Sequence, residues 1–348
     1  MTEKTKTKTP RTKAKNAETP SVLTLEYSLA ELPSVQHRAG LAGLVLMIEW
    51  LGRLPEEARK GICRQVHLDD ARLTIEIDEA GLGSLLDATY DAGQRLEKYP
   101  SPWKNKAPVR EVVEEVVVKG KPKQKTFYLY PQIVPSGAWL ADVEPNGDPD
   151  GPWIHLWRRM IWETLRGVPA TRAPFEERAE KRPTGLAEGI WKDLIRPENH
   201  AVKLPSTYYI GAQAITADNV EFYDKARYQF LLHFWPFVAQ VYIPTVVVPP
   251  EGKVESRPYA LVIPDVGMLA LFCAMLSDDL LQRSSMLWGN SWPRAAVVDL
   301  PIEAAMHFEM RLRKTLESKQ FGAASSDFVL GYEVHHVSKE GNNVRVAY

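Results

Sequence analysis

The stretch Ser34-Val-Gln-His-Arg-Ala-Gly-Leu-Ala-Gly-Leu-Val-Leu46 opens a helix predicted over residues 35–54, entered through Pro33 and Ser34. Gly40 and Gly43 fall inside it, three residues apart. Each costs a helix roughly 1 kcal/mol relative to alanine. Such glycines make sense where another backbone, or a nucleic-acid strand, approaches the helix closely. His37 and Arg38 sit one turn ahead of them.

Working outward, residues 22–29 alternate enough to form a strand before this helix. Residues 1–20, with lysines and one arginine among threonines, lack apolar side chains and read as a disordered basic tail. Downstream, 72–77 reads as a strand and 80–96 as a helix. Tyr99-Pro-Ser-Pro-Trp-Lys-Asn-Lys106 is a proline-limited loop in which Trp103, Lys104 and Lys106 interleave aromatic and basic character. Residues 109–118 and 126–134 form a predicted hairpin with Lys119, Lys121, Lys123 and Lys125 at its tip. A lysine-tipped hairpin suits a duplex or a phosphate backbone; the plainer alternative is an exposed edge protected by charge.

After a turn at 146–151 comes Trp153-Ile-His-Leu-Trp-Arg-Arg-Met-Ile-Trp-Glu-Thr-Leu-Arg166. Ile154, Trp157, Ile161 and Leu165 recur at helical spacing on one face, and His155, Arg158, Arg159, Glu163 and Arg166 take the other. Trp162 falls between Arg158 and Arg166, an indole beside guanidinium groups that suits a base next to a phosphate. The prolines flanking Arg172, Pro169 and Pro174, predict an extended segment. Arg178, Lys181 and Arg182 continue the basic run. An ordinary amphipathic helix followed by a rigid loop is the competing reading.

Residues 186–195 form a predicted short helix. The aromatic-rich span 205–242 is mostly core, with helical spacing from Phe222 to Trp235 and a packed His233. From 238 onward the texture is strand (238–248), strand (259–263), helix (266–284), strand (295–300), helix (302–320), and a closing hairpin of 328–337 with 343–348. No internal repeat is visible. The fold class is α+β, an irregular mixed, multi-lobed architecture with a basic β-hairpin and an amphipathic Trp/Arg helix. The expected division is a tail (1–20), an N-terminal α+β lobe (21–150), a helical Trp/Arg-rich segment (151–237) and a C-terminal α+β lobe (238–348).

The chain of 348 residues has a net charge of −1, distributed unevenly. Residues 1–20 carry six basic and two acidic side chains, 98–125 eight and three, and 153–182 seven and four. Local basic patches on a neutral protein point toward a polyanion. Cys63 and Cys273 are too few for a zinc site or a disulfide framework, which fits a reducing cytoplasm. No apolar run reaches bilayer length, so no membrane partner is expected.

Catalytic signatures are missing. There is no glycine-rich phosphate loop with its lysine, no His-Glu-x-x-His, no Cys-x-x-Cys and no Gly-x-Ser-x-Gly. Gly81-Leu-Gly83 lacks the third glycine of a dinucleotide site. His335 and His336 are neighbours in a strand and point to opposite faces. Asp69-Asp70 and Asp278-Asp279 are the candidates for a magnesium-dependent nuclease, but solvated charge explains them more simply. No cofactor, metal or enzymatic activity is expected.

The block from Ser34 to Leu46, Trp157-Arg-Arg-Met-Ile-Trp162, and Arg166-Gly-Val-Pro-Ala-Thr-Arg-Ala-Pro-Phe-Glu-Glu-Arg178 resemble a CRISPR-associated family. Tyr259-Ala-Leu-Val-Ile-Pro-Asp265 and Gly341-Asn-Asn-Val-Arg345 resemble it too, so the likeness runs from about residue 22 to 348. The family is the large subunit of type I Cascade surveillance complexes, in its MYXAN subtype. The resemblance implies a noncatalytic subunit whose partners are guide RNA, target double-stranded DNA and the backbone and handle-binding subunits. It implies a place at the guide's 5′ handle, a check of the target-flanking motif in duplex DNA, and a part in starting strand separation, in antiviral defence or guided transposition. Sequence itself is then read by guide–target pairing, which leaves the protein backbone and groove contacts. Such subunits usually end in a helical bundle, whereas this chain closes in strand-like sequence. The residues assigned to nucleic acid rest on physical grounds: Trp103, Lys104, Lys106, Lys119, Lys121, Lys123, Lys125, Arg158, Arg159, Trp162, Arg166, Arg172 and Arg178. A structural scaffold subunit of a ribonucleoprotein is the reading from a third class.

Overall fold

A computed structural model describes residues 21–118, 121–135, 172–204, 222–244, 259–281, 297–298, 300–319, 324–340 and 343–347. The chain is α+β, with several small sheets set around one long helix, α1 (Val35–Arg53). Ser34 caps α1, its Oγ accepting from the His37 N–H. From Ala39 to Ile48 every residue of α1 is buried. A helix apolar all round belongs inside a domain.

The glycines show how that burial is reached. A Cβ at Gly40 would lie 2.4 Å from the Leu231 carbonyl oxygen, and one at Gly43 would lie 2.1 Å from that of Phe234. The close approach expected from sequence is therefore made by backbone: the turn after α5 (Ala226–Leu231) and the 3₁₀ segment Trp235–Phe237 lie against α1. Polar clamps flank the contact. His37 Nε2 meets Asp224 Oδ2 at 2.9 Å, and Arg38 Nε donates to Asp265 Oδ1 at 2.6 Å. One hydrophobic cluster runs from Leu25 to Val329.

Strands β1 (Leu23–Ser28), β2 (Cys63–Leu68) and β3 (Arg72–Ile77) form an antiparallel sheet in the order β1-β3-β2. Helix α2 (Glu79–Thr89) follows, capped by Asp78 Oδ1 accepting from Gly81 N–H at 2.7 Å. The helix predicted to reach residue 96 stops at Thr89. There the Tyr90 hydroxyl bonds His233 Nδ1 at 2.7 Å, and the chain turns into β4 (Ala92–Tyr99). Pairing of β4 with β6 overrides helical propensity in that stretch.

Strands β4, β5 (Arg110–Val118) and β6 (Lys121–Pro135) make a second antiparallel sheet, with β6 central. Helix α3 (Arg172–Ala179) packs on β4 and β6 and inserts Phe175 against Tyr90, with ring centroids 5.1 Å apart. The extended segment expected around Arg172 is thus corrected from that residue onward. Pro174 sits in the first helical turn, where the missing N–H has no intrahelical acceptor to lose.

Helix α4 (Ala187–Leu194) packs on α2, and β7 (Ala201–Leu204) pairs with β8 (Phe222–Lys225). The helical spacing read from Phe222 to Trp235 is corrected as well. A strand, the short α5 and a 3₁₀ turn at Pro236 share that span, and Phe230, Phe234, Trp235 and Phe237 are buried as expected. The remaining sheet joins β9 (Gln240–Pro244), β10 (Tyr259–Val266), β11 (Val297–Val298), β12 (Val329–Glu340) and β13 (Asn343–Ala347) in the order β11-β9-β10-β12-β13. Helices α6 (Leu269–Leu281) and α7 (Pro301–Lys319) follow β10 and β11. The closing β12–β13 hairpin matches the sequence reading.

Candidate nucleic-acid interface

The described part of the basic 98–125 region is the β4-β6-β5 sheet and the loop between β4 and β5. Three aromatic rings fix the loop. Trp103 stacks on Tyr130 with centroids 4.3 Å apart and planes 3° from parallel, and Tyr99 meets both edge-on. The Tyr130 hydroxyl accepts from the Trp103 N–H at 2.9 Å and donates to the Lys106 carbonyl at 3.2 Å. Asn105 turns the chain at φ +67°, a left-handed conformation that asparagine tolerates. Lys104 and Lys106 are thereby presented, both exposed, on a pinned loop. Trp103 is half-buried, its ring occupied by Tyr130 and with Lys106 Nζ 5.5 Å from its centroid.

Beyond Tyr99 the sheet narrows to a two-stranded ribbon. β4 pairs with β6 only at 128–135, while β5 pairs with it over 121–129. Lys121, Lys123 and Lys125 therefore lie on one arm of the ribbon rather than at its tip, and Lys119 lies outside the described residues. Residues two apart share a face, so these three exposed lysines form a row with about 6.6 Å between neighbours. That interval is comparable to the through-space separation of successive phosphates on one strand, whose rise along the helix axis is about 3.4 Å. Across from them on the same face are Val116, opposite Lys123, and Glu114, opposite Lys125. Glu114 is also paired with Lys98, and Lys125 Nζ lies 5.3 Å from the Phe127 ring centroid. The other face of the ribbon sets Glu111, Val113 and Glu115 opposite Tyr128, Thr126 and Gln124. One face is basic and the other acidic.

The second basic region is described only from Arg172 onward. Arg158, Arg159, Trp162 and Arg166 lie outside the described residues, as does the Trp/Arg helix that carries them. Arg172 begins α3. Arg178 faces inward: its guanidinium is 3.6 Å from Asp87 and 3.9 Å from Asp91, and Nη1 donates to the Arg182 carbonyl at 3.0 Å. These contacts tie α3 to α2 and to the start of β4. They also line a groove of about 810 Å³ that includes Trp50, Lys60 and Lys181. The groove mixes both signs of charge, unlike the lysine row.

The acidic pairs considered for metal are occupied otherwise where they are described. Asp69 Oδ1 accepts from the Ala71 and Arg72 N–H groups, and its Oδ2 meets His67 Nε2 at 2.9 Å. The His67 bond, followed by those N–H groups, holds the Asp69 carboxyl below its ordinary range. Asp70 accepts from the Leu269 N–H with its backbone carbonyl and from the Leu271 N–H with its Oδ1, and so satisfies the start of α6. The side chains of Asp278 and Asp279 lie outside the described residues. Among the described residues no three metal-ligating side chains cluster, and no helix is long and apolar enough to cross a membrane.

Sequence reasoning missed the acidic face of the ribbon and the stacked Trp103–Tyr130 pair. Strict two-residue alternation through 110–130 contained the first; the second depends on a contact between a loop and a strand that no local pattern encodes.

Comparison with known proteins adds a family. No curated protein matches the chain. A model of the type I-B CRISPR Cas8b N-terminal domain matches residues 62–322, which takes in the ribbon, α3, α6 and α7. The chain belongs to that Cas8b family, and with it to the large subunits of type I CRISPR Cascade complexes.

Proposed function

We propose that this chain is the noncatalytic, nucleic-acid-binding large subunit of an RNA-guided type I effector, of the MYXAN subtype, working in the cytoplasm. It binds the guide at its 5′ handle, meets the flanking motif of target duplex DNA, and helps start strand separation. The observation that carries this reading is the row Lys121, Lys123 and Lys125 on one face of a ribbon, with Lys104 and Lys106 exposed on a loop pinned to Tyr130, whose side chain lies on the sheet's other face. A row of point charges without an acidic pocket attracts phosphates and positions a duplex, while guide pairing supplies sequence. Trp103 acts by holding the loop. Lys119, Arg158, Arg159, Trp162, Arg166 and Arg172 extend the contact on sequence grounds, and Arg178 positions α3.

The test is reconstitution with the other subunits and a guide. Complexes carrying Lys104, Lys106, Lys121, Lys123 and Lys125 as alanine should assemble and keep their guide, yet open a matched duplex poorly. Magnesium-dependent cleavage by the chain, lost on changing Asp278 or Asp279, would favour a nuclease instead. Duplex opening untouched by the whole alanine series would favour a scaffold.

A further inference from the structure

The ribbon has two long edges, and they are built differently. The open edge of β6 before Tyr128 reads Lys121-Pro-Lys-Gln-Lys-Thr-Phe127. Proline removes a donor, and lysines oppose the approach of another strand; together they are ordinary protection of an exposed edge. The edge of β5 reads Arg110-Glu-Val-Val-Glu-Glu-Val-Val-Val118. It has no proline, no lysine and five valines of high strand propensity, and its charges are Arg110 and three glutamates. Among the described residues β5 pairs with β6 alone, and Val113 is 60% exposed. Two-stranded ribbons are marginal in water, and the third strand that completes the base of this sheet, β4, ends opposite Tyr128.

We propose that the outer edge of β5 accepts an extended segment from a neighbouring subunit of the effector complex, which adds a strand to the ribbon. The inference rests on the Cascade reading above. Glu111 and Glu115 lie exposed on one face of this edge, so the incoming segment carries lysine or arginine at alternate positions, with aliphatic residues between to meet Val112 and Val116. Nucleic acid does not fit: its phosphates meet carboxylates there. A second copy of the chain fits poorly, because it sets one glutamate-bearing edge beside another. The strand so added fixes the ribbon's orientation and turns its lysine row toward the duplex.

Hydrogen exchange on the full chain, alone and in the reconstituted complex with guide, tests this. Amides within 110–118 should slow at least tenfold on assembly. The protection should survive nuclease treatment and alanine at Lys121 and Lys123. Glu111→Lys with Glu115→Lys, both at exposed positions, should weaken assembly about tenfold. Unchanged exchange at 110–118 in a complex that does assemble overturns the inference and leaves the Cascade reading standing. Protection lost with nuclease, or protection that grows with concentration of the chain alone, also overturns it, by assigning the edge to nucleic acid or to a second copy. A chain that joins no complex overturns the reading and this edge together.

Discussion

The centre of the molecule around α1 and the β5–β6 ribbon use the same elementary rules to opposite ends. In the centre, glycine removes side chains so that backbones touch, and two buried histidines meet specific partners: His37 meets Asp224 and His233 meets Tyr90. In the ribbon, alternation puts Lys121, Lys123 and Lys125 on one face and Glu111 and Glu115 on the other, and leaves these side chains in water. The first region tolerates almost no change in volume, whereas the second tolerates changes in shape and depends on charge. Mutations should separate the two cleanly, in stability for the centre and in ligand binding for the ribbon.

The largest effect is expected at the glycines. Gly43→Leu drives a side chain into the Phe234 carbonyl, which is backbone and cannot swing away. A loss of about 3 kcal/mol or more in urea unfolding is expected. Gly43→Ala should also destabilise, despite alanine's helical advantage of about 1 kcal/mol. Tolerance of leucine there would contradict the packing of α1.

The next effect is on pH. Burial lowers the His233 pKa from 6.5 to about 3, so the folded protein holds this ring neutral. Because the unfolded chain binds the proton more readily, the contribution is present in full above about pH 6.5 and is lost as pH falls toward 3. Each unit of pH in that window costs about 1.4 kcal/mol from this one group. His233→Phe should flatten the slope of stability against pH between 4 and 6, measured by denaturant midpoints, whatever it does to stability at neutral pH.

A smaller effect is expected at the base of the ribbon. Tyr130→Phe removes both bonds that hold the 103–106 loop, at a cost of about 1 kcal/mol, and should raise exchange in that loop without altering α1. The smallest is expected at the lysine row: alanine at Lys121, Lys123 and Lys125 should move stability by less than about 0.5 kcal/mol.

The same contrast governs what could be read in the sequence. The close approach at Gly40 and Gly43 was legible because two helical glycines have a local cost that only a contact offsets. The closing hairpin and α7 were legible by period. The end of α2 was not: residues 90–96 go to a strand because β6, more than thirty residues on, is there to pair with them. Strand β2 was missed because Arg64, Gln65, Val66 and His67 are all exposed and show no alternation of polarity. Of the site, the lysines were legible as charge, but their arrangement as a row depended on register. Inward placement of Arg178 depended on Asp87 and Asp91, far away in sequence, whose carboxylates compete with any phosphate for that guanidinium.

The central claim is that the lysine row meets phosphate, and its most direct test is the salt dependence of duplex binding by the reconstituted complex. Each phosphate contact contributes about 0.9 to the slope of log affinity against log salt. Replacing Lys121, Lys123 and Lys125 by alanine should therefore lower the magnitude of that slope by about 2.7, with folding unchanged. An unaltered slope in a folded, assembled triple variant would contradict the account.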